Sequence, residues 1–261
     1  MQSDLALIER HDRVGLITIN RPQVMNALDI PTLEALERAF DTLDADADIR
    51  VIVVTGAGDR AFVAGGDIAD LETRRGLEHY QSFGEIIQRV FRRIETCDKP
   101  TIGAINGWAL GGGTELLLTL DLRIVADDAE LALPEILLGL FPGAGGSQRI
   151  IRQIPLCKAK EMMFVGERIG AGAAVALGLC NRAVPRAQVL TEALQLAQRI
   201  AEKSPLVLKL LKRSLQHGAD MPLGAALAYE HAMIGLAFDS DDAHEGCRAF
   251  VEKRKARFEG R

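Results

Sequence analysis

The stretch 99–118, KPTIGAINGWALGGGTELLL, decides how this chain is read. Pro100 disfavours helix for its predecessor, so the helix upstream stops near Asp98-Lys99. Residues 101–105 then read as a short buried strand. A second extended segment follows and ends in Gly111-Gly112-Gly113, ahead of a helix starting around Thr114-Glu115. Glycines at such a junction let the backbone approach another group closely. A helix start adds unpaired N–H groups and positive potential. A tight turn packed on a sheet would account for the same glycines.

Upstream, the β-branched runs 14–20 (VGLITIN) and 51–55 (VIVVT) end at Arg21-Pro22 and Gly56-Ala57-Gly58. Between them Pro31 opens a helix with Leu33, Leu36, Phe40 and Leu43 on one face. A second amphipathic helix puts Tyr80, Phe83, Ile87, Val90, Phe91 and Ile94 on one stripe, and 122–126 is a further strand. Strands separated by helices need crossovers, hence largely parallel pairing and an α/β class. After about Ala187 the pattern is helical only, with periodic stretches at 190–202, 205–216, 222–238 and 241–257. This divides the chain into a β-rich core, 1–187, and a helical region, 188–261.

Composition excludes several function classes. Lys and Arg number 31 against 36 Asp and Glu, a net charge of −5, which is the wrong sign for a nucleic-acid footprint. The four cysteines (Cys97, Cys157, Cys180, Cys247) form no CxxC pair, and the five histidines show no zinc spacing. Free thiols, no metal and a reducing compartment are expected. Residues 1–11 lack an apolar leader segment, and the 15 residues from Pro100 to Thr114 are too short and glycine-rich to cross a bilayer. A soluble cytoplasmic protein is the expectation.

Familiar glycine motifs fail. VIVVT followed by Gly56-Ala57-Gly58-Asp59-Arg60-Ala61 mimics a dinucleotide fingerprint, but Phe62-Val63-Ala64-Gly65-Gly66-Asp67 follows where a helix should begin. Gly145-Gly146-Ser147-Gln148-Arg149 starts like a nucleophile elbow yet has Arg149 in place of the last glycine. Two clusters remain, Ala64-Gly65-Gly66-Asp67 and Gly111-Gly112-Gly113. N–H groups from two loops can converge on one oxygen as an oxyanion hole. Two carboxyls also stand out. Glu115 sits in a first helical turn, where any acid is favoured. Glu135 is embedded in Leu131-Ala132-Leu133-Pro134-Glu135-Ile136-Leu137-Leu138, costly unless it is paired (to Arg149, for instance) or lines a wet pocket. Two carboxyls in one apolar pocket can divide general-base and general-acid work.

These residues resemble the enoyl-CoA hydratase/isomerase, or crotonase, family over nearly the whole chain. The likeness runs through Asn20-Arg21-Pro22, Asn26-Ala27-Leu28, Phe62-Val63-Ala64-Gly65-Gly66-Asp67-Ile68, the stretch quoted first, LPEILLGLFPGAGGSQR at 133–149, and Phe250-Val251-Glu252-Lys253-Arg254. Gly66 stands where Ala is commoner in that family, Thr114 where Cys is common and Trp108 where Tyr is. The resemblance implies a spiral of ββα turns with C-terminal helices that trimerise it, commonly into a hexamer of two trimers. It places the oxyanion hole on the N–H groups of Gly66 and Gly112 and the paired carboxyls on Glu115 and Glu135. Coenzyme A, as part of an acyl-CoA thioester substrate, would lie along Asn26, Ala27, Leu28, Ala64, Gly65, Gly66, Asp67 and Ile68. Lys253 would reach a phosphate across subunits.

The implied reaction is syn addition of water to a trans-2-enoyl-CoA, with no cofactor beyond the coenzyme A of the substrate. Glu115 would deprotonate the water that attacks C3, and Glu135 would supply the proton to C2. Two alternatives remain: double-bond isomerisation, which needs chiefly Glu135, and a non-catalytic RNA-binding member of the fold. The second would require a basic face, and the available runs (158–160, 209–213, 253–257) are short.

Overall fold

The computed structural model describes residues 4–261; residues 1–3 of the N-terminal segment and the side chain of Tyr80 on the helical stripe lie outside the described residues. The chain opens with a hairpin, β1 (Ala6–His11) and β2 (Val14–Ile19), followed by helix α1 (Ile30–Ala45). Asp29 caps α1 by accepting from the Thr32 N–H at 2.9 Å, and Leu33, Leu36, Phe40 and Leu43 are buried as their spacing predicts. Next come β3 (Val51–Gly56), β4 (Ala61–Val63), the short helices α2 (Ile68–Glu72) and α3 (Gly76–His79), a π-turn (Tyr80–Gly84) and α4 (Glu85–Glu95). Two further turns follow: β5 (Thr101–Ile105), β6 (Trp108–Leu110) and α5 (Gly112–Leu117), then β7 (Leu122–Ala126) and β8 (Glu130–Ala132). After them stand α6 (Gly146–Ile150), α7 (Leu156–Val165), β9 (Ile169–Gly170), α8 (Ala171–Ala176) and β10 (Arg182–Val184). Four helices finish the chain: α9 (Val189–Ala201), α10 (Pro205–Gly218), α11 (Leu223–Phe238) and α12 (Asp241–Val251).

The strands form two sheets, β1-β2-β3-β5-β7-β10 and β4-β6-β8-β9. Pairing is parallel except at β1/β2 and β8/β9. Successive turns of chain thus place one strand in each sheet: β3 then β4, β5 then β6, β7 then β8. Stacking three such turns in the same order gives the spiral. Its consequence for the site is simple. The loops that leave β4, β6 and β8 emerge at the same end of three neighbouring parallel strands, where α/β proteins place their ligands.

One core holds the spiral together, built from Ile17, Ile52, Val54, Phe40, Phe91, Ile102 and their neighbours. Helix α9 lies beyond the boundary drawn at 187, yet Val189, Ala193, Ala197 and Ala201 belong to this core. The last helix ends at Val251 rather than continuing through 257. Lys253 adopts a left-handed φ of +54°, and the tail turns back onto the helix start. There Asp242, only 2% exposed, accepts from the N–H groups of Glu259 and Gly260 at 2.7 and 2.9 Å.

Helix α10 is fastened to the spiral by a buried ion pair. Lys212 Nζ lies 2.7 Å from Asp121 Oδ2, and the same oxygen accepts from the Thr101 N–H at 2.8 Å. Lys212→Met keeps the stem but leaves that carboxylate without its cation. Because Asp121 keeps some solvent access, a loss of ~1–3 kcal/mol is expected in urea unfolding; an unchanged midpoint would show the pair to be dispensable. Among the described residues no helix is long and apolar enough to cross a membrane.

Candidate active site

A cavity of about 330 Å³ opens at the common end of β4, β6 and β8. Gly65 and Gly66 reach it from the loop after β4, Gly111, Gly112 and Glu115 from the junction after β6, and Pro134 and Glu135 from the 3₁₀ turn after β8. Its opposite wall is apolar, made chiefly by Leu71, Phe83, Ile87, Leu138, Leu140 and Phe141. The short strands bring together residues that are 20 or more apart in sequence.

The glycines explain themselves sterically. Gly111 has φ +50°, and a Cβ there would fall 2.9 Å from Glu135 Oε1. A Cβ on Gly112 would lie 3.5 Å from the Gly66 nitrogen, so the two loops are in van der Waals contact through their backbones. Gly113 packs so tightly on the Val63 carbonyl that no side chain fits. The Gly66 N–H and the Gly112 N–H donate to no acceptor among the described residues. Helix α5 starts at Gly112, two residues before the sequence suggests, so that N–H is one of the helix's unpaired first-turn donors. Two free donors from facing loops line one cavity, the arrangement an oxyanion needs.

Glu115 is 4% exposed. Its Oε1 accepts from the N–H groups of Ala144 and Gly146, both at 2.8 Å. Burial pushes its carboxyl up to about 7, and the nearby Glu135 charge pushes the same way. The two N–H groups and the Arg149 guanidinium pull against them. Glu135 is also raised, by burial. Its Oε2 is buried with no partner among the described residues, which favours the protonated carboxyl. The possible ion pair from Glu135 to Arg149 does not form, because Arg149 binds Glu95 at 2.7 and 2.8 Å.

Of the residues set along coenzyme A, Ala64, Gly65, Gly66 and Ile68 line the cavity. Asn26, Ala27, Leu28 and Asp67 lie behind it and shape the loop. Asn26 is fully buried, donating to the carbonyls of Ala57 and Ala61 at 3.0 and 2.9 Å. The Leu28 N–H donates to the Gly65 carbonyl and the Leu28 carbonyl accepts from the Asp67 N–H, at 2.8 and 2.9 Å. Asp67 caps α2 and pairs with Arg21 at 2.9 Å. Lys253 is exposed and does not line its own chain's cavity. The turn that holds Glu115 lies inside the 133–149 stretch that carries the resemblance, but the sequence reading did not connect Gly145-Gly146 with Glu115. The structure gives the reason for glycine there: a Cβ on Gly146 would collide with Glu115 Cγ at 2.6 Å.

A sequence model of the family described as Enoyl-CoA hydratase/isomerase matches residues 9–261. The chain is 35% identical to the short-chain-enoyl-CoA hydratase of Clostridium acetobutylicum, covering 98% of this chain and 97% of that protein. It is 38% identical to the crotonyl-CoA hydratase of Syntrophomonas wolfei, covering 97% and 96% respectively. The crystal structure of the enoyl-CoA hydratase from Bacillus anthracis superposes with a TM-score of 0.95 at 34% identity, over 98% of this chain and 100% of that one. Full-length matches in sequence and in structure, with the glycine loops and both glutamates gathered at one cavity, place this chain in the enoyl-CoA hydratase/isomerase family.

Proposed function

We propose that this chain adds water across the double bond of a trans-2-enoyl-CoA to give a 3-hydroxyacyl-CoA. The observation that carries this reading is the pairing of two raised carboxyls with two unengaged N–H donors in one cavity. The thioester oxygen accepts from Gly66 and Gly112, which stabilises the enolate-like charge that develops when C3 is attacked. Glu115, ionised, takes a proton from the attacking water while Glu135, protonated, delivers one to C2. Both carboxyls line the one cavity, which supports addition of water and proton to the same face. Each step moves protons around a stabilised enolate, so no cofactor is required beyond the coenzyme A of the substrate.

At about 330 Å³ the cavity is at the small end of ligand sites, which supports a short acyl group. The names of the Clostridium and Syntrophomonas relatives agree with that choice. The pH dependence tests the assignment. Hydration needs Glu115 ionised, so kcat/KM should rise through about pH 7 as that carboxyl loses its proton. An acidic limb at an ordinary carboxylate pH of about 4.3 would remove Glu115 from that role.

The proposal extends to assembly. Leu211, Leu215, Leu223, Leu227, Ile234 and Phe238 are exposed along α10 and α11, more apolar surface than a solvated helical pair presents. A closed homohexamer, two trimers joined, would bury it and bring Lys253 towards a neighbour's substrate phosphate. Light scattering at micromolar concentration should give a hexamer mass; a monomer mass would contradict it. The four free cysteines support a reducing compartment, the cytoplasm.

A further inference from the structure

Behind Glu115 lies a chain of contacts that the hydration reading leaves unused. Arg149, on α6, donates from Nε and Nη2 to the two carboxylate oxygens of Glu95, at 2.8 and 2.7 Å. Its Nη1 donates to the Ala144 carbonyl at 2.9 Å. The same residue, Ala144, presents its N–H to Glu115, and Gly146 presents the second. Gly145 between them has φ +94°, and a Cβ there would strike the Arg149 guanidinium, so the turn closes directly on the arginine. Glu95 is itself held at the end of α4, where its carbonyl accepts from Gln216 of α10 at 2.8 Å. The Arg149 side chain is 14% exposed and does not line the cavity.

We propose that the Glu95–Arg149 pair is a positioning device for the catalytic carboxylate: it clamps the turn 144–146 so that two N–H groups stay aimed at Glu115. A planar guanidinium suits this task, since it can bind a carboxylate with two N–H groups and a carbonyl with a third. The pair also sets the field at Glu115. The charged or titratable groups around Glu115 are Glu135 from the turn after β8, Arg149 from α6 with Glu95 behind it, and His79 of α3 on the cavity wall. Strands β4 and β6, which pack on α5, carry no charged side chain. Arg149 favours the ionised form of Glu115, and Glu95 offsets part of that effect.

The two partners therefore act in opposite directions, which a merely structural support would not do. The inference rests on Glu115 being the base, and the test separates the two. The acidic limb of kcat/KM would be measured for the wild type, Arg149→Met, Glu95→Gln and Glu115→Gln, with circular dichroism and oligomer mass as folding controls. Arg149→Met should move the limb up by about 0.5–1 pH unit, because a positive charge and the clamp are both lost. It should lower kcat at neutral pH about 10-fold with little change in KM. Glu95→Gln leaves Arg149 uncompensated and should move the limb down. Arg149→Lys, which keeps the charge without the fork, should restore the limb position more than kcat. If Arg149→Met fails to fold, the downward movement in Glu95→Gln decides alone. A limb that stays put, or moves the same way in both variants, overturns the positioning device while leaving Glu115 as base. A limb that survives unchanged in Glu115→Gln overturns the base assignment and the device with it.

Discussion

Glu115→Gln should abolish most hydration, by about 10²–10⁴-fold, while any isomerisation of a 3-enoyl thioester falls far less. Glutamine keeps the shape and can still accept from the N–H groups of Ala144 and Gly146, so the 2.8 Å contacts need not be lost. It cannot take a proton from water. Moving a double bond requires no bound water and can use one carboxyl as a shuttle, so Glu135→Gln should depress both activities. The double variant should be less than additive, because the two carboxyls act in the same transition state. Normal hydration by Glu115→Gln would make isomerisation the better description of this chain.

The same substitution should change stability in the opposite sense to activity. In the folded chain the Glu115 carboxyl is pushed from its usual 4.5 up to about 7, so the native state binds the proton more tightly than the unfolded state does. Stability therefore falls as pH rises through that window, and the ionised carboxylate is a burden above it. Glutamine removes the burden. Glu115→Gln should be more stable than the wild type at pH 8 by up to ~3 kcal/mol, and the difference should fade below pH 4.5. Urea unfolding at the two pH values reads it directly.

Gly112→Pro is the second large effect. Gly112 is the first residue of α5 and its φ lies outside the left-handed region, so proline fits the backbone there. The substitution deletes one of the two free N–H donors. Loss of one such donor costs about 10²–10³ in kcat, with a smaller effect on KM because the oxyanion develops in the transition state. Gly112→Ala is the control: it keeps the donor, and its Cβ would meet nothing closer than 3.5 Å. A folded Gly112→Pro of full activity would show that this N–H does not serve the reaction.

What the sequence made legible follows from length and period. The strands at 14–19, 51–56, 101–105 and 122–126 are five- or six-residue runs, long enough to show their β-branched character. Strands β4, β6 and β8 have three residues each, too few for any period, and they exist because neighbours in the spiral pin them. Strand β1 was hidden because it is an edge strand with its middle residues exposed, so it carries no core pattern. The site was half legible. Gly66, Gly112, Glu115 and Glu135 stand out by chemistry and by resemblance, but the Glu95–Arg149 clamp joins residues 54 apart and leaves no local trace. The failed elbow at 145–149 was the clue: its glycines are set by Arg149 and Glu115, not by a nucleophile.

The central claim is that both carboxyls and both N–H donors act together to add water to an enoyl thioester. The direct measurement is incubation of the purified chain with crotonyl-CoA in isotopically labelled water, followed by mass analysis of the acyl product. The account predicts loss of the conjugated absorbance and a 3-hydroxyacyl-CoA carrying one labelled oxygen at C3, with both signals lost in Glu115→Gln. Turnover that shifts the double bond without incorporating oxygen from water would contradict it.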